Sequence, residues 1–111
     1  MPANPQDHAS TAPEVRDNPG SGRFELALPD GGLAFIDYRR QAGAVWLTHA
    51  EVPPAWEGRG VGSRLVQGAL DRLRAAGERV VPVCSFVVAW IRRHPAYDDL
   101  RRHPADDDLR R

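Results

Sequence analysis

Three groups of residues in this 111-residue chain have types and spacings that chemistry could use. The first is the run Gly58-Arg59-Gly60-Val61-Gly62-Ser63. Glycine lets a backbone approach a ligand closely, because no Cβ stands in the way. Where such a run opens a helix, the free N–H groups and the helix dipole favour an anion, phosphate above all. The second is His49 and Glu51, two residues apart and so on one face of an extended strand. An imidazole with an unperturbed pKa of about 6.5 can take a proton from an attacking nucleophile near neutrality. The third is Cys84, whose thiolate would be a nucleophile and whose reactivity depends on a lowered pKa. Cysteine is also among the residues most often simply buried.

The elements that must position these groups can be read around them. Phe24, Leu26 and Leu28 alternate with Glu25, which is a half-buried strand. Pro29-Asp30-Gly31-Gly32 is a turn, and a second strand runs from Leu33 to Arg39. Gln41-Ala42-Gly43 turns the chain into a third strand, Ala44 to Val52, placing His49 and Glu51 on the face of Val45 and Leu47. Pro53-Pro54 ends it, since proline cannot donate to a ladder. Beyond the glycine run, Val61, Leu65, Ala69, Leu73 and Ala76 recur at helical spacing among Arg64, Gln67, Asp71, Arg72 and Arg74. Gly77 stops that helix. Val80 to Cys84 is a short strand buried on both faces. Ser85 caps a second helix that Pro95 ends near His94. Upstream, Val15 is able to begin an edge strand and Asn18-Pro19-Gly20 marks a turn. The expected fold is mixed α+β: a three-strand antiparallel meander followed by a βαβ unit.

Composition narrows the chemistry. All fifteen basic residues are arginine and fifteen are acidic, so the net charge is zero and no basic face for nucleic acid is expected. With no lysine there is no P-loop, Schiff base or lysine general base. The glycines read GxGxG after an antiparallel meander, not the GxGxxG of a first βα turn in a parallel sheet. A third phosphate motif, the acetyl-coenzyme A loop [Q/R]xxGx[G/A], fits positions 57 to 62 except at Glu57. One cysteine excludes an internal disulfide, and the histidines at 8, 49, 94 and 103 lack ligand spacing, so no metal is expected. No apolar run reaches the length of about 20 residues that spans a bilayer, and the first ten residues lack a signal-like core. The expected setting is cytoplasmic, away from membranes.

On these residues the chain resembles the GNAT superfamily of N-acetyltransferases, in particular its very short members. The segments VRDNPGSGRFEL, LTHAEVPPAWEGRGVGSRLV, VVPVCSFV and IRRHPAYDDL carry the likeness. The resemblance implies a splayed sheet that binds acetyl-coenzyme A between the third and fourth of these strands. Backbone groups of Glu51 and Val52 would hold the pantetheine arm. The N–H groups of Arg59, Gly60, Val61, Gly62 and Ser63 would cradle the pyrophosphate. Apart from the resemblance, Arg92 and Arg93 follow the second helix and are expected within reach of the 3′-phosphate, since arginine binds phosphate well. Glu57 departs from the family's Gln or Arg, and a carboxylate there predicts weaker coenzyme binding. The family's strand glutamate acts as a base through water, which points to Glu51 with His49 beside it. Its usual tyrosine acid is replaced here by Phe86, and Tyr97 lies beyond Pro95. The short subgroup shares the cysteine at Cys84, as acyl acceptor or as acid to the leaving thiolate.

The expected function is acetyl transfer from acetyl-coenzyme A to a small-molecule or peptidyl amine. The alternative is a non-catalytic coenzyme-binding sensor or protein-interaction module. The expected organisation is a disordered tail over residues 1–13, one domain over 14–100, and a duplicated solvated tail over 101–111. Residues 92–100 (RRHPAYDDL) and 101–109 (RRHPADDDL) are identical at eight of nine positions. A monomer or weak homodimer is expected.

Overall fold

The computed structural model describes residues 14–102. The expected tail over residues 1–13 and most of the duplicated one, from 103 onward, lie outside the described residues. Five strands form one sheet in the order of the chain: β1 (Arg16–Asn18), β2 (Arg23–Ala27), β3 (Leu33–Gln41), β4 (Ala44–Glu51) and β5 (Arg79–Pro82). The first four pair antiparallel, and β5 lies parallel to β4. Helix α1 (Val61–Ala75) joins β4 to β5, and helix α2 (Ser85–Arg93) follows β5. The meander therefore has four strands, with the short β1 added at one edge.

Phe24 and Leu26 on β2, Ala34, Ile36 and Tyr38 on β3, and Val45 and Leu47 on β4 are buried against both helices. Alternation on each strand produces that face, and the helices supply Val61, Leu65, Val66, Ala69, Leu70 and Leu73 from α1 and Val87, Trp90 and Ile91 from α2. The opposite face carries Arg23, Glu25, Phe35, Asp37, Trp46, His49 and Glu51, partly or fully exposed. Val15 reaches across to α1, where a Cβ on Gly68 would stand 2.4 Å from its Cγ2. Only glycine allows Val15 to lie that close.

Two local signals are realised in detail. The β3–β4 turn places Ala42 and Gly43 both at positive φ (53° and 73°), the two-residue form whose twist matches a hairpin. Helix α1 ends with Gly77 at φ 72°, the Glu78 N–H on the Leu73 carbonyl and the Gly77 N–H on the Arg74 carbonyl. These are the paired bonds of a Schellman stop.

Two boundaries differ from expectation. β5 ends at Pro82, so Cys84 is not a strand residue, and Cys84 rather than Ser85 occupies the cap position of α2, with no side-chain cap bond. Past Leu100, Arg101 bridges to Val80, and the Arg102 N–H donates to the Val80 carbonyl at 2.7 Å. Among the described residues no helix is long and apolar enough to cross a membrane.

Candidate functional site

The site grows out of a change halfway along β4. Leu47 is its last residue paired with β5, opposite Pro82. The Leu47 carbonyl then accepts both the Val83 and Cys84 N–H groups, at 2.9 and 3.0 Å, and β5 turns away into α2. From Thr48 onward β4 is paired only with β3, so its other edge is free of a strand partner. Cys84 sits at the vertex of this splay, half-buried and packed on the core.

A bulge falls at the same place. Tyr38 pairs with Leu47, but Asp37 pairs with His49, leaving Thr48 as the extra residue. Its hydroxyl donates to the Asp37 carbonyl at 3.2 Å. One extra residue reverses which side chains face the core. His49 and Glu51 therefore do not share the face of Val45 and Leu47, as strict alternation predicts. They lie on the open face, His49 Nε2 3.0 Å from Glu51 Oε1 and its ring 6.2 Å from that of Phe35. Ala50 and Val52 take the helix side instead, and they line a cleft.

That cleft is about 480 Å³, walled by Ala50, Val52, Trp56, Leu65 and Phe86 and floored by Gly58, Gly60, Gly62 and Ser63. Gly58 and Gly60 have φ of 78° and 81°, and no atom lies within 4 Å of where a Cβ would stand on either. Gly60 caps α1 with no side-chain bond to its first turn, and that turn holds no acidic residue. The first helical bond is Arg64 N–H to Gly60 carbonyl, so the N–H groups of Val61, Gly62 and Ser63 precede the ladder. An open, glycine-entered, uncapped helix start beside an apolar cleft fits an anion with an apolar arm.

The rim is braced. The Trp56 indole donates to Asp30 Oδ2 at 2.9 Å, tying the cleft wall to the β2–β3 turn, and Arg59 stacks 5.2 Å from the Trp56 ring centre. The Trp56 and Gly32 N–H groups hold the Asp30 carboxyl below its ordinary pKa. Trp56 and Ala50 were not assigned to the site by sequence, and Leu65 was read only as an apolar position of the helix. Trp56 precedes the glycine run directly and could have been found by its position. Ala50 could not, because only the bulge turns it inward.

Other expected residues fall elsewhere. Arg93 is in the last turn of α2, exposed, and does not line the cleft. Seven residues after Phe86, it lies roughly 10 Å further along the helix. Tyr97 is committed away from the site: its hydroxyl donates to Asp71 at 2.8 Å, and burial together with Asp71 raises its pKa. Phe86 is 40% exposed and offers the cleft no proton. Glu57 is exposed at the lip of the glycine run. Among the described residues no group of three His, Cys, Asp or Glu side chains could hold a metal.

Residues 23–100 match the GCN5-related N-acetyltransferase family. The chain belongs to that family. The GCN5-related fold is also found in the solution structure of a GCN5-like protein from Staphylococcus aureus, which is similar at a TM-score of 0.62 and 22% identity. That likeness covers 80% of this chain and 87% of the other. Comparison with curated proteins returns no match. In this GCN5-related chain the glycine run, the free half of β4 and the splay vertex all fall within the matched residues.

Proposed function

We propose that the chain is an acetyl-coenzyme A-dependent N-acetyltransferase whose acceptor is a small-molecule or peptidyl amine, acting in the cytoplasm as a monomer or weak homodimer. The observation that carries this reading is the coincidence at one cleft of an uncapped glycine-entered helix start and a strand half with a free edge. The N–H groups of Arg59, Gly60, Val61, Gly62 and Ser63 bind the pyrophosphate. The free backbone of Glu51 and Val52 hydrogen-bonds the pantetheine amides, and the apolar walls exclude water from the thioester. Arg93 contributes to the 3′-phosphate from the end of α2.

Acetyl transfer needs a nucleophile, a base for the amine and a proton for the leaving thiolate. Cys84 stands where the strands part. Its sulfur attacks the acetyl carbonyl carbon, and the coenzyme thiolate leaves, taking up the proton the thiol gave. The acceptor amine approaches from the open face and attacks the acetyl-cysteine. Its proton passes to His49, and the Cys84 thiolate is released. With the His49 Nε2–H given to Glu51, Nδ1 is the accepting nitrogen, and Glu51 steadies the imidazolium. Intact mass after incubation with acetyl-coenzyme A tests this: one acetyl group added to the wild type and none to Cys84→Ala. An unmodified wild type that still turns over would remove the covalent step.

A second reading, a coenzyme-binding module without turnover, is favoured by Phe86 and by the engaged Tyr97 hydroxyl. Thiol release measured across a panel of amines separates the two. Coenzyme binding with no release for any amine supports the module.

A further inference from the structure

Trp90 is the largest of the fully buried side chains, 1% exposed. An indole N–H only donates, and when buried it needs an acceptor. The acceptor is Ser63 Oγ at 2.8 Å, the third residue of α1 and part of the cleft floor. The indole has little freedom to turn elsewhere. His94 stacks on it at 3.8 Å with only 12° between planes, and Tyr97 meets it edge-on at 5.1 Å. The two helices are close enough for the bond because residue 62 is glycine: a Cβ there would stand 2.7 Å from Phe86 Cζ.

A serine hydroxyl has two lone pairs and one proton. One lone pair is taken by Trp90. Inside a helix the proton usually returns to the carbonyl three or four residues back. Among the described residues Ser63 makes no such bond. Its proton is therefore available on the cleft side, beside the N–H groups of the first turn, and accepting a bond from Trp90 makes the hydroxyl a stronger donor.

We infer that Trp90 is a positioning residue: its clamped indole holds the Ser63 hydroxyl with the proton directed into the cleft, as a side-chain donor to a phosphate oxygen of the coenzyme. This rests on the coenzyme-binding reading above and adds to the backbone cradle a donor that works only through α2. It makes phosphate affinity depend on a residue that touches no phosphate.

The three tryptophan indoles make the test direct. Trp46 donates to the Gln41 carbonyl, outside the cleft lining, and serves as the internal reference. The full chain is titrated with coenzyme A and, separately, with inorganic pyrophosphate, following the indole N–H resonances and the backbone amides. The Trp90 resonance should move saturably with both ligands while that of Trp46 stays put. Ser63→Ala should weaken coenzyme A by about tenfold, the worth of one hydrogen bond to a charged group at about 1.4 kcal/mol per decade. Trp90→Phe should weaken it by less, and the double variant by no more than Ser63→Ala. Pantetheine, which carries no phosphate, should bind all four proteins with equal affinity. Equal coenzyme A affinity in the wild type and Ser63→Ala overturns this inference and leaves the coenzyme reading standing. So does a Trp90→Phe loss that is as large for pantetheine as for coenzyme A, since that is a general loosening. If neither ligand moves any amide from Gly58 to Ser63 in the wild type, both fall.

Discussion

The two halves of β4 use the same backbone for opposite purposes. Ala44 to Leu47 is paired on both sides, and Val45 and Leu47 are fully buried. Thr48 to Glu51 is paired on one side only, and no residue in it is fully buried. The change coincides with the bulge at Thr48 and with the end of β5 at Pro82. In the inner half a side chain matters for what it packs against. In the outer half the free edge, the inward Ala50 and Val52 and the outward His49 and Glu51 offer three separate chemical surfaces within a few residues. A fold this small can host a site because one strand changes role partway along.

The comparison breaks first at Leu47. Leu47→Ala should cost about 3 kcal/mol through the cavity it leaves, while His49→Ala should change stability by less than about 0.5 kcal/mol. Thermal and denaturant unfolding of both variants checks this, and equal losses would make the halves equivalent. On the site side, Gly62→Val should abolish detectable coenzyme A binding, because its side chain must displace Phe86 from the cleft wall; calorimetric titration with a melt as fold control decides it. His49→Ala should lower acetyl transfer by about 100-fold with the dissociation constant for coenzyme A unchanged, the signature of a base rather than a binding group. Glu57→Gln should tighten coenzyme A by about threefold, removing a like charge at a helix start where such interactions are worth about 0.3–1 kcal/mol. An unchanged constant would show that Glu57 points away.

The smallest effect lies at the inner end of the strand pair. Arg40 donates two side-chain hydrogen bonds to the Glu78 carboxylate, at 3.2 and 2.9 Å, and holds that carboxyl below the usual range. A lowered folded-state pKa stabilises above the unfolded value and loses that contribution as pH falls through the folded one. Both side chains are partly exposed, so Glu78→Gln should cost under about 1 kcal/mol at neutrality. The difference in melting temperature from wild type should shrink as pH falls below the ordinary glutamate range and vanish once Glu78 is protonated in the folded protein.

Much of the fold was legible because local chemistry and packing agree. Alternation at Phe24, Leu26 and Leu28, helical spacing from Val61 and the stop at Gly77 each have a local cause. The glycine run was legible as the entry to that helix for the same reason. What escaped was non-local. Nothing in Leu47-Thr48-His49 marks a bulge, since it arises from pairing with Asp37 and Tyr38 ten residues upstream; so His49 and Glu51 were assigned the wrong face. Cys84 reads as strand by composition, but the Leu47 carbonyl captures two successive N–H groups and ends pairing at Pro82. The Trp90–Ser63 bond joins residues 27 apart on two helices and has no local signal at all.

The central claim is that the cleft between the outer half of β4 and the start of α1 binds acetyl-coenzyme A. Backbone amide mapping of the full chain titrated with acetyl-coenzyme A tests it most directly. The account predicts saturable shifts at Ala50, Val52 and Gly58 to Ser63, with Glu25 and Asp37 on the open face unmoved. Shifts confined to the open face, or none at any concentration, would contradict it.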